Sequence, residues 1–211
     1  MLRTTKTPEN TGKSGMINGL KVSDYMIILN PGELVGNKIT NVRKEIAATF
    51  GVQMPVRTRP KLTLATFSTF DAFEPKLKLA LENIAKVITP FKVYLKDYNF
   101  YANSTLFVNV ENKYAFLEVL GLLKQCKKLL APVPASDVQF ANNPKVLISS
   151  TLAPLDFMQI WEKWQNRRFT ASFVANEFLL VKRFANGQFN VIGHYKFQNM
   201  PINISKDLLF A

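Results

Sequence analysis

Alternating apolar and polar positions mark a short stretch that occurs twice in the chain. It reads PKLTLA at residues 60–65 and PKVLIS at residues 144–149. Alternation with a period of two is typical of a strand, and a proline at the first position can open a strand without using a ladder donor. In each copy the lysine, Lys61 or Lys145, lies on the face opposite the apolar residue that follows it. We therefore predict two similar strands, each presenting a lysine to one face.

The rest of the chain alternates between helical and strand patterns. Apolar residues spaced three and four apart predict helices over 34–50, 74–88, 113–130 and 154–166. Period-two stretches predict further strands over 22–29, 91–96, 99–101, 105–110, 169–174, 177–184 and 188–197, the last two joined by an Asn-Gly turn. We predict a flexible tail over 1–20, one bilobal domain over 21–197 with a linker at 131–143, and a short tail over 198–211.

The order of elements suggests an internal repeat. Each Pro-Lys strand is followed by a helix, a strand that begins near a phenylalanine, and a second strand. Residues 91–100 parallel residues 169–178, with aromatic residues or leucine at the first, fifth and tenth positions. Chance similarity between two α/β halves is the alternative. Duplication predicts that the two Pro-Lys strands are related by a pseudo-twofold axis and line one cleft.

Composition limits the class of protein and of partner. The chain is 47% hydrophobic and 12% aromatic, which is typical of a globular protein and excludes disorder of the whole chain. Its formal net charge of +12 permits an anionic partner such as RNA, a nucleotide or an acidic surface, and does not choose among them. A basic protein that binds none of these is the alternative.

Compartment and cysteine usage add two expectations. No apolar run approaches the ~18–20 residues that span a bilayer, and the polar N-terminal segment does not read as a secretory signal, so we expect a cytoplasmic protein without membrane insertion. Cys126 is the single cysteine, which excludes an internal disulfide and a cysteine-based metal site. Its helical surroundings predict a semi-buried structural thiol.

The two motifs and their context resemble the 2H (two-histidine) phosphoesterase superfamily. The pattern Pro-x-h-Thr-h-Ala at 60–65, followed by Phe67, Pro90-Phe91 and the second motif at Pro144, is similar to that of the 2′-5′ RNA ligase-like proteins, which include cyclic nucleotide phosphodiesterases. The resemblance covers roughly residues 22–197. It implies an α+β fold: a duplicated, bilobal domain with antiparallel concave sheets lining a central cleft and helices outside.

The same resemblance implies a reaction that this sequence is poorly equipped to perform. In the family each motif is His-h-Thr/Ser-h, where one histidine acts as general base and the other as general acid on a phosphodiester, without metal or other cofactor. Here Lys61 and Lys145 replace both histidines, and Leu147 replaces the second Thr/Ser. Thr63 is retained. The only histidine, His194, matches neither motif, and a surface or structural role is expected for it.

Lysine changes the chemistry that the cleft can support. A solvated lysine has a pKa of ~10.4 and is protonated at neutral pH, so it cannot act as a base but can bind phosphate as a point charge. We predict a phosphate-binding cleft formed by Lys61, Thr63 and Lys145. Arg57 and Arg59, which period-two counting places on the face of Lys61, would extend it.

Three functions stay open at this point. The first is a catalytically impaired protein that binds RNA or a nucleotide through its phosphate. The second is an active phosphodiesterase in which one lysine, its pKa lowered by burial and by the other lysine, serves as base. The third is a non-catalytic scaffold that binds other proteins. Oligomeric state and ligand identity do not follow from the sequence.

Overall fold

One antiparallel sheet organises the molecule. The computed structural model describes residues 15–102, 104–130 and 137–200. Within these ranges eight strands follow the order β10-β9-β2-β3-β7-β5-β4-β8, and two short strands, β1 and β6, pair with β2 and β3. The strands are β1 Gly15–Ile17, β2 Leu20–Leu29, β3 Leu62–Phe70, β4 Phe91–Tyr101, β5 Thr105–Val110, β6 Gln139–Phe140, β7 Lys145–Ser149, β8 Thr170–Ala175, β9 Glu177–Arg183 and β10 Phe189–Lys196.

The helices pack on one face of this sheet and form the main core with it. Their bounds are α1 Gly32–Phe50, α2 Glu74–Val87, α3 Tyr114–Gln125, α4 Lys127–Leu130 and α5 Pro154–Trp164. Apolar residues of the helices, such as Ile39, Leu81 and Leu123, are fully buried together with sheet residues such as Leu62 and Val146. The other face carries a small separate cluster of Met26, Ile28, Leu179 and Val181, against which Phe189 packs. The sheet curls so that this second face is concave, and the predicted α+β architecture is confirmed.

Most predicted elements are present, with two internal differences. The strands predicted at 91–96 and 99–101 are one strand, β4, whose register shifts between Lys96 and Tyr98 around the positive-φ residue Asp97 (φ 54). This single-residue bulge lets the strand continue although its side-chain alternation is interrupted. The helix predicted over 113–130 is divided at Cys126 into α3 and α4, because the apolar spacing continues through a local break of the backbone.

Some residues of both predicted tails form backbone hydrogen bonds with the rest of the fold. Gly15–Ile17 pairs with the start of β2 across a turn at Asn18-Gly19, where both residues have positive φ. At the other end, the backbone amides of Gln198, Asn199 and Met200 donate to carbonyls at the end of α2 and just beyond it. Residues 1–14, 131–136 and 201–211, which hold the rest of the two predicted tails and part of the linker, lie outside the described residues.

The sheet order has two matching halves around the β3–β7 contact. On one side lie β3, β2, β9 and β10, and on the other lie β7, β5, β4 and β8. By position, β4 therefore corresponds to β9, whereas the sequence comparison of 91–100 with 169–178 equates β4 mainly with β8. That alignment is wrong, because aromatic spacing recurs in strands that are not equivalent. Duplication of the chain stays a prediction.

Candidate ligand-binding cleft

The two motif strands meet at a single residue pair. Leu62 of β3 lies opposite Val146 of β7 in antiparallel register, and both are fully buried against the helices. This register places Thr63 opposite Lys145 and Lys61 opposite Leu147. Because side chains alternate between faces, these four point to the concave face, away from the buried Leu62 and Val146. A contact between residues more than eighty positions apart thus brings both motifs into one site.

A cleft of about 520 Å³ opens over this quartet. Its lining includes Lys61, Thr63, Lys145 and Leu147, together with Arg59 and the buried Arg43. Three of the predicted site residues and one of the two predicted arginines therefore border the same space. The fifth, Arg57, borders a neighbouring cavity that it shares with Arg59.

The strand argument for the two arginines is wrong. β3 begins at Leu62, so Arg57 and Arg59 lie in the loop before it and have no fixed strand face. Arg57 lies within a turn at residues 56–58, and Arg59 lies between this turn and the strand. Arg59 reaches the cleft because of the path of this loop, which period-two counting does not describe.

Lys61 is a half-buried cation with an aromatic neighbour. Its Nζ lies 5.8 Å from the ring centroid of Phe189. Within the described ranges it forms no ion pair with a carboxylate. Burial, and then the nearby positive charge of Arg43, lower the pKa of Lys61 below its ordinary value. The charge that opposes Lys61 is therefore that of Arg43, whereas the sequence interpretation assigned this effect to the second lysine.

Lys145 has a comparable environment in the other half of the cleft. Its Nζ lies 4.7 Å from the ring centroid of Phe107 and 5.4 Å from that of Tyr101. Burial lowers the pKa of Lys145, and no carboxylate in the described part of the chain forms an ion pair with it. An aromatic face attracts an ammonium group without neutralising it. Both ammonium groups are thus oriented while their charge stays available to an anion.

Arg43 is the site residue that the sequence interpretation missed. It lies on α1 with 3% of its surface exposed, and its guanidinium donates hydrogen bonds to the carbonyl oxygens of Leu147, Ile148, Pro55 and Thr58. It thereby ties the second motif strand to the loop that carries both arginines. A signal was present, because Arg43 falls within the buried stripe of α1 formed by Val35, Ile39, Val42 and Ile46.

Neither Leu147 nor His194 completes an acid–base pair in the cleft. Leu147, at the position of the second Thr/Ser, is 38% exposed and has no polar atom in its side chain. His194 lies on the edge strand β10, is exposed, and places Nδ1 3.2 Å from Oε2 of Glu177. It does not line the cleft. The expected surface role of His194 agrees with this position.

Among the described residues, no three His, Cys, Asp or Glu side chains come close enough together to hold a metal ion. None of the helices in those ranges combines the length and apolar character that crossing a bilayer requires.

The fold is similar to those of several solved structures. A phosphoesterase superposes with a TM-score of 0.61 at 13% identity, covering 83% of this chain and 98% of that one. Escherichia coli LigT complexed with phosphate gives 0.60 at 13% identity, covering 83% and 98%. A protein of Thermus thermophilus gives 0.54 at 16% identity, covering 83% and 98%. These neighbours are 2H phosphoesterases. The chain has the 2H phosphoesterase fold.

This result confirms the resemblance at the level of the fold. No protein-family model and no curated protein sequence matches the chain. Escherichia coli LigT has also been solved with NADP+, 3′-AMP and ATP.

Proposed function

We propose that this protein binds a phosphate-containing ligand, RNA or a nucleotide, in the cleft and does not turn it over efficiently. Lys61, Lys145 and Arg59 supply positive charge, and the Thr63 hydroxyl supplies a hydrogen bond. The proposal is carried by the placement, on one concave face, of two lysines that pair with no carboxylate of the described residues. LigT structures with phosphate and with nucleotides support it by fold.

Physical chemistry favours binding over catalysis at this site. General acid–base catalysis at neutral pH requires groups whose pKa lies near the operating pH, and the two motif positions hold lysine in place of histidine. A protonated lysine donates hydrogen bonds to phosphate but accepts no proton from an attacking water. The proposed protein therefore retains the attraction for phosphate and lacks the proton transfer.

A titration with AMP and with a short single-stranded RNA, at several salt concentrations, tests binding. We expect affinity to fall with salt, and the Lys61→Ala/Lys145→Ala variant to bind at least about tenfold more weakly, since a hydrogen bond to a charged group contributes roughly 1.5–3 kcal/mol. Lys76→Ala/Lys128→Ala removes the same charge from exposed positions outside the cleft and serves as control. Equal affinities of the two double variants would contradict the proposal.

The lowered pKa of both lysines favours one second candidate, a lysine-dependent phosphodiesterase. If one lysine lost its proton while the other kept it, the pair could act as base and acid. Turnover of a 2′,3′-cyclic nucleotide that rises between neutral pH and pH ~9 would support this function. We expect no such turnover from the natural sequence.

A variant that restores the family pattern sharpens this test. Lys61→His, Lys145→His and Leu147→Thr together recreate two His-h-Thr motifs in strands that already face one cleft. Turnover by the triple variant, and none by the natural chain, would assign the impairment to these positions. A natural chain that binds neither AMP nor RNA but forms a stable complex with another protein, unaffected by the double lysine substitution, would favour a scaffold.

A further inference from the structure

A second cavity adjoins the cleft on the side of α1. It has a volume of about 510 Å³ and lies between the first turns of α1 and residues 56–60 of the loop before β3. Thr58 and Arg59 line both this cavity and the cleft. The two spaces are therefore adjacent.

The second cavity is bordered by two arginines whose charge is not neutralised locally. Arg57 and Arg59 are exposed, and neither forms an ion pair or hydrogen bond within the described ranges. Asn37 and Thr40 of α1 add polar side chains. Glu33 is the one carboxylate among the lining residues, and its charge opposes that of the arginines for any anion that enters.

The loop that carries these arginines is held from inside the protein. Arg43, with 3% of its surface exposed, donates from Nη1 to the carbonyl oxygens of Pro55 (3.1 Å) and Thr58 (2.5 Å). The amide of Thr58 donates to the carbonyl of Pro55 at 3.1 Å, which closes a turn between them. Arg57 and Arg59 flank the residue so fixed. A buried guanidinium thus limits the positions that the two exposed ones can adopt.

We propose that this second cavity is a subsite for a second phosphate group, so that the protein prefers ligands with two phosphates over those with one. This inference rests on the proposed function, since the first phosphate occupies the cleft above Lys61 and Lys145. Arg59 lies between the two positions and Arg57 serves the second. Guanidinium groups suit this role because their paired donors match two phosphate oxygens.

Three probes distinguish the chemistry of the ligand. AMP supplies one phosphate, ADP supplies two in a diphosphate, and the 5′-phosphorylated dinucleotide pApA supplies two separated by a nucleoside. We expect the natural chain to bind ADP or pApA about tenfold more tightly than AMP, measured by calorimetry at one fixed salt concentration. The tighter of the two identifies whether a diphosphate or an oligonucleotide backbone spans the subsites.

Two substitutions act on the second cavity in opposite directions. Arg57→Ala should reduce the preference for two phosphates by about three- to tenfold, whereas Glu33→Gln should increase it by removing an opposing charge. Lys76→Ala, an exposed lysine of α2 outside both cavities, should leave the preference unchanged. A preference that Arg57→Ala and Lys76→Ala reduce equally would reflect net charge alone and would overturn the subsite.

The outcomes separate this inference from the proposed function. Lysine-dependent AMP binding with no preference for ADP or pApA would refute the second subsite and leave phosphate binding intact. No binding of AMP, ADP or pApA by the natural chain would refute both. A preference that is weakened by Arg57→Ala and strengthened by Glu33→Gln would support both.

Discussion

The carbonyl oxygen of Leu147 accepts a hydrogen bond of 2.7 Å from Nη2 of Arg43. This contact joins α1 in the first half of the chain to the second motif strand, 104 positions away. The same guanidinium also holds the loop before the first motif strand through the carbonyls of Pro55 and Thr58. One buried cation therefore fixes both walls of the cleft relative to each other.

Arg43→Met should lower the free energy of unfolding by about 3–5 kcal/mol. A buried carbonyl left without a donor costs about 1–3 kcal/mol, and the carbonyls bordering the cleft can regain water in part. Urea unfolding followed by circular dichroism measures this loss. Arg168→Met, which breaks an exposed pair with Asp97, serves as control and should cost less than about 1 kcal/mol. Equal losses in the two variants would contradict the role assigned to Arg43.

Binding of a phosphodiester should weaken as the pH rises. The pKa values of Lys61 and Lys145 are lowered by burial, and that of Lys61 also by the charge of Arg43. Each lysine therefore loses its positive charge below the ordinary lysine pKa of ~10.4. A cyclic phosphodiester is a suitable probe, because its single charge is constant over this range.

A Lys61→Arg/Lys145→Arg variant provides the control for this titration. Arginine stays protonated at every pH compatible with folding, so affinity in the variant should be nearly constant. If affinity in the natural chain is as constant as in the arginine variant, the ammonium groups do not determine binding.

Lys182→Met should destabilise the protein at neutral pH, by about 3 kcal/mol, and much less in acid. Nζ of Lys182 lies 3.0 Å from Asp71 and 2.8 Å from Glu74, and its side chain is 12% exposed. Burial alone would raise the pKa of both carboxyls, but hydrogen bonds from Lys182 and other donors lower it on balance. Removal of Lys182 leaves two partly buried carboxylates with more exposed cations alone: Asp71 keeps Lys21, and Glu74 keeps Lys78.

The pH window of this effect follows from the direction of the pKa shifts. Carboxyls with a lowered native pKa contribute stability that is present above their unfolded pKa of ~4 and is lost as the pH falls through the native pKa. Urea unfolding at pH ~7 and pH ~3 should show a large and then a small difference between Lys182→Met and the natural chain. Lys78→Met, more exposed beside Glu74, is the matched control. A difference that does not depend on pH would refute an ionic contribution.

Cys126 should be unreactive in the folded protein. It is 4% exposed, and burial raises the pKa of its thiol, so little thiolate is present at neutral pH. A disulfide reagent such as Ellman's should label one thiol after unfolding in urea and almost none before. Rapid labelling of the native protein would contradict this burial.

The local sequence pattern was sufficient to predict most helices and strands, because the burial of one face of such an element is specified by residues close together in the chain. The apolar spacing of α1 and the alternation of β3 follow from burial of one face, which a few adjacent residues specify. The two lysines are assigned to one cleft by the sequence alone, since both motifs resemble those of a single family. Where backbone geometry broke the pattern, at Asp97 and Cys126, the sequence interpretation misplaced element boundaries.

The candidate site was predictable in part for the same reason. Thr63 and Lys145 lie on strands whose faces alternation defines, Lys61 directly precedes β3, and all three line the cleft. Arg57 and Arg59 lie on a loop, where no period applies, and only Arg59 borders the cleft. The aromatic neighbours of the lysines, Phe189 and Phe107, could not be assigned from spacing, since they belong to strands that fold back from other parts of the chain.

The sequence by itself determined most helices and strands, because these depend on local periodicity. It also determined the two lysine-bearing motifs and the fold that they indicate, because these depend on the order of motifs along the chain. Only the tertiary structure decided that Leu62 pairs with Val146, that aromatic rings in place of carboxylates accompany both lysines, and that Arg43 fixes the cleft. The Arg43 guanidinium lies on the buried face of a helix and donates to the acceptors that are near it in space. Those acceptors are backbone carbonyls, which every residue carries. No side-chain pattern can therefore identify them.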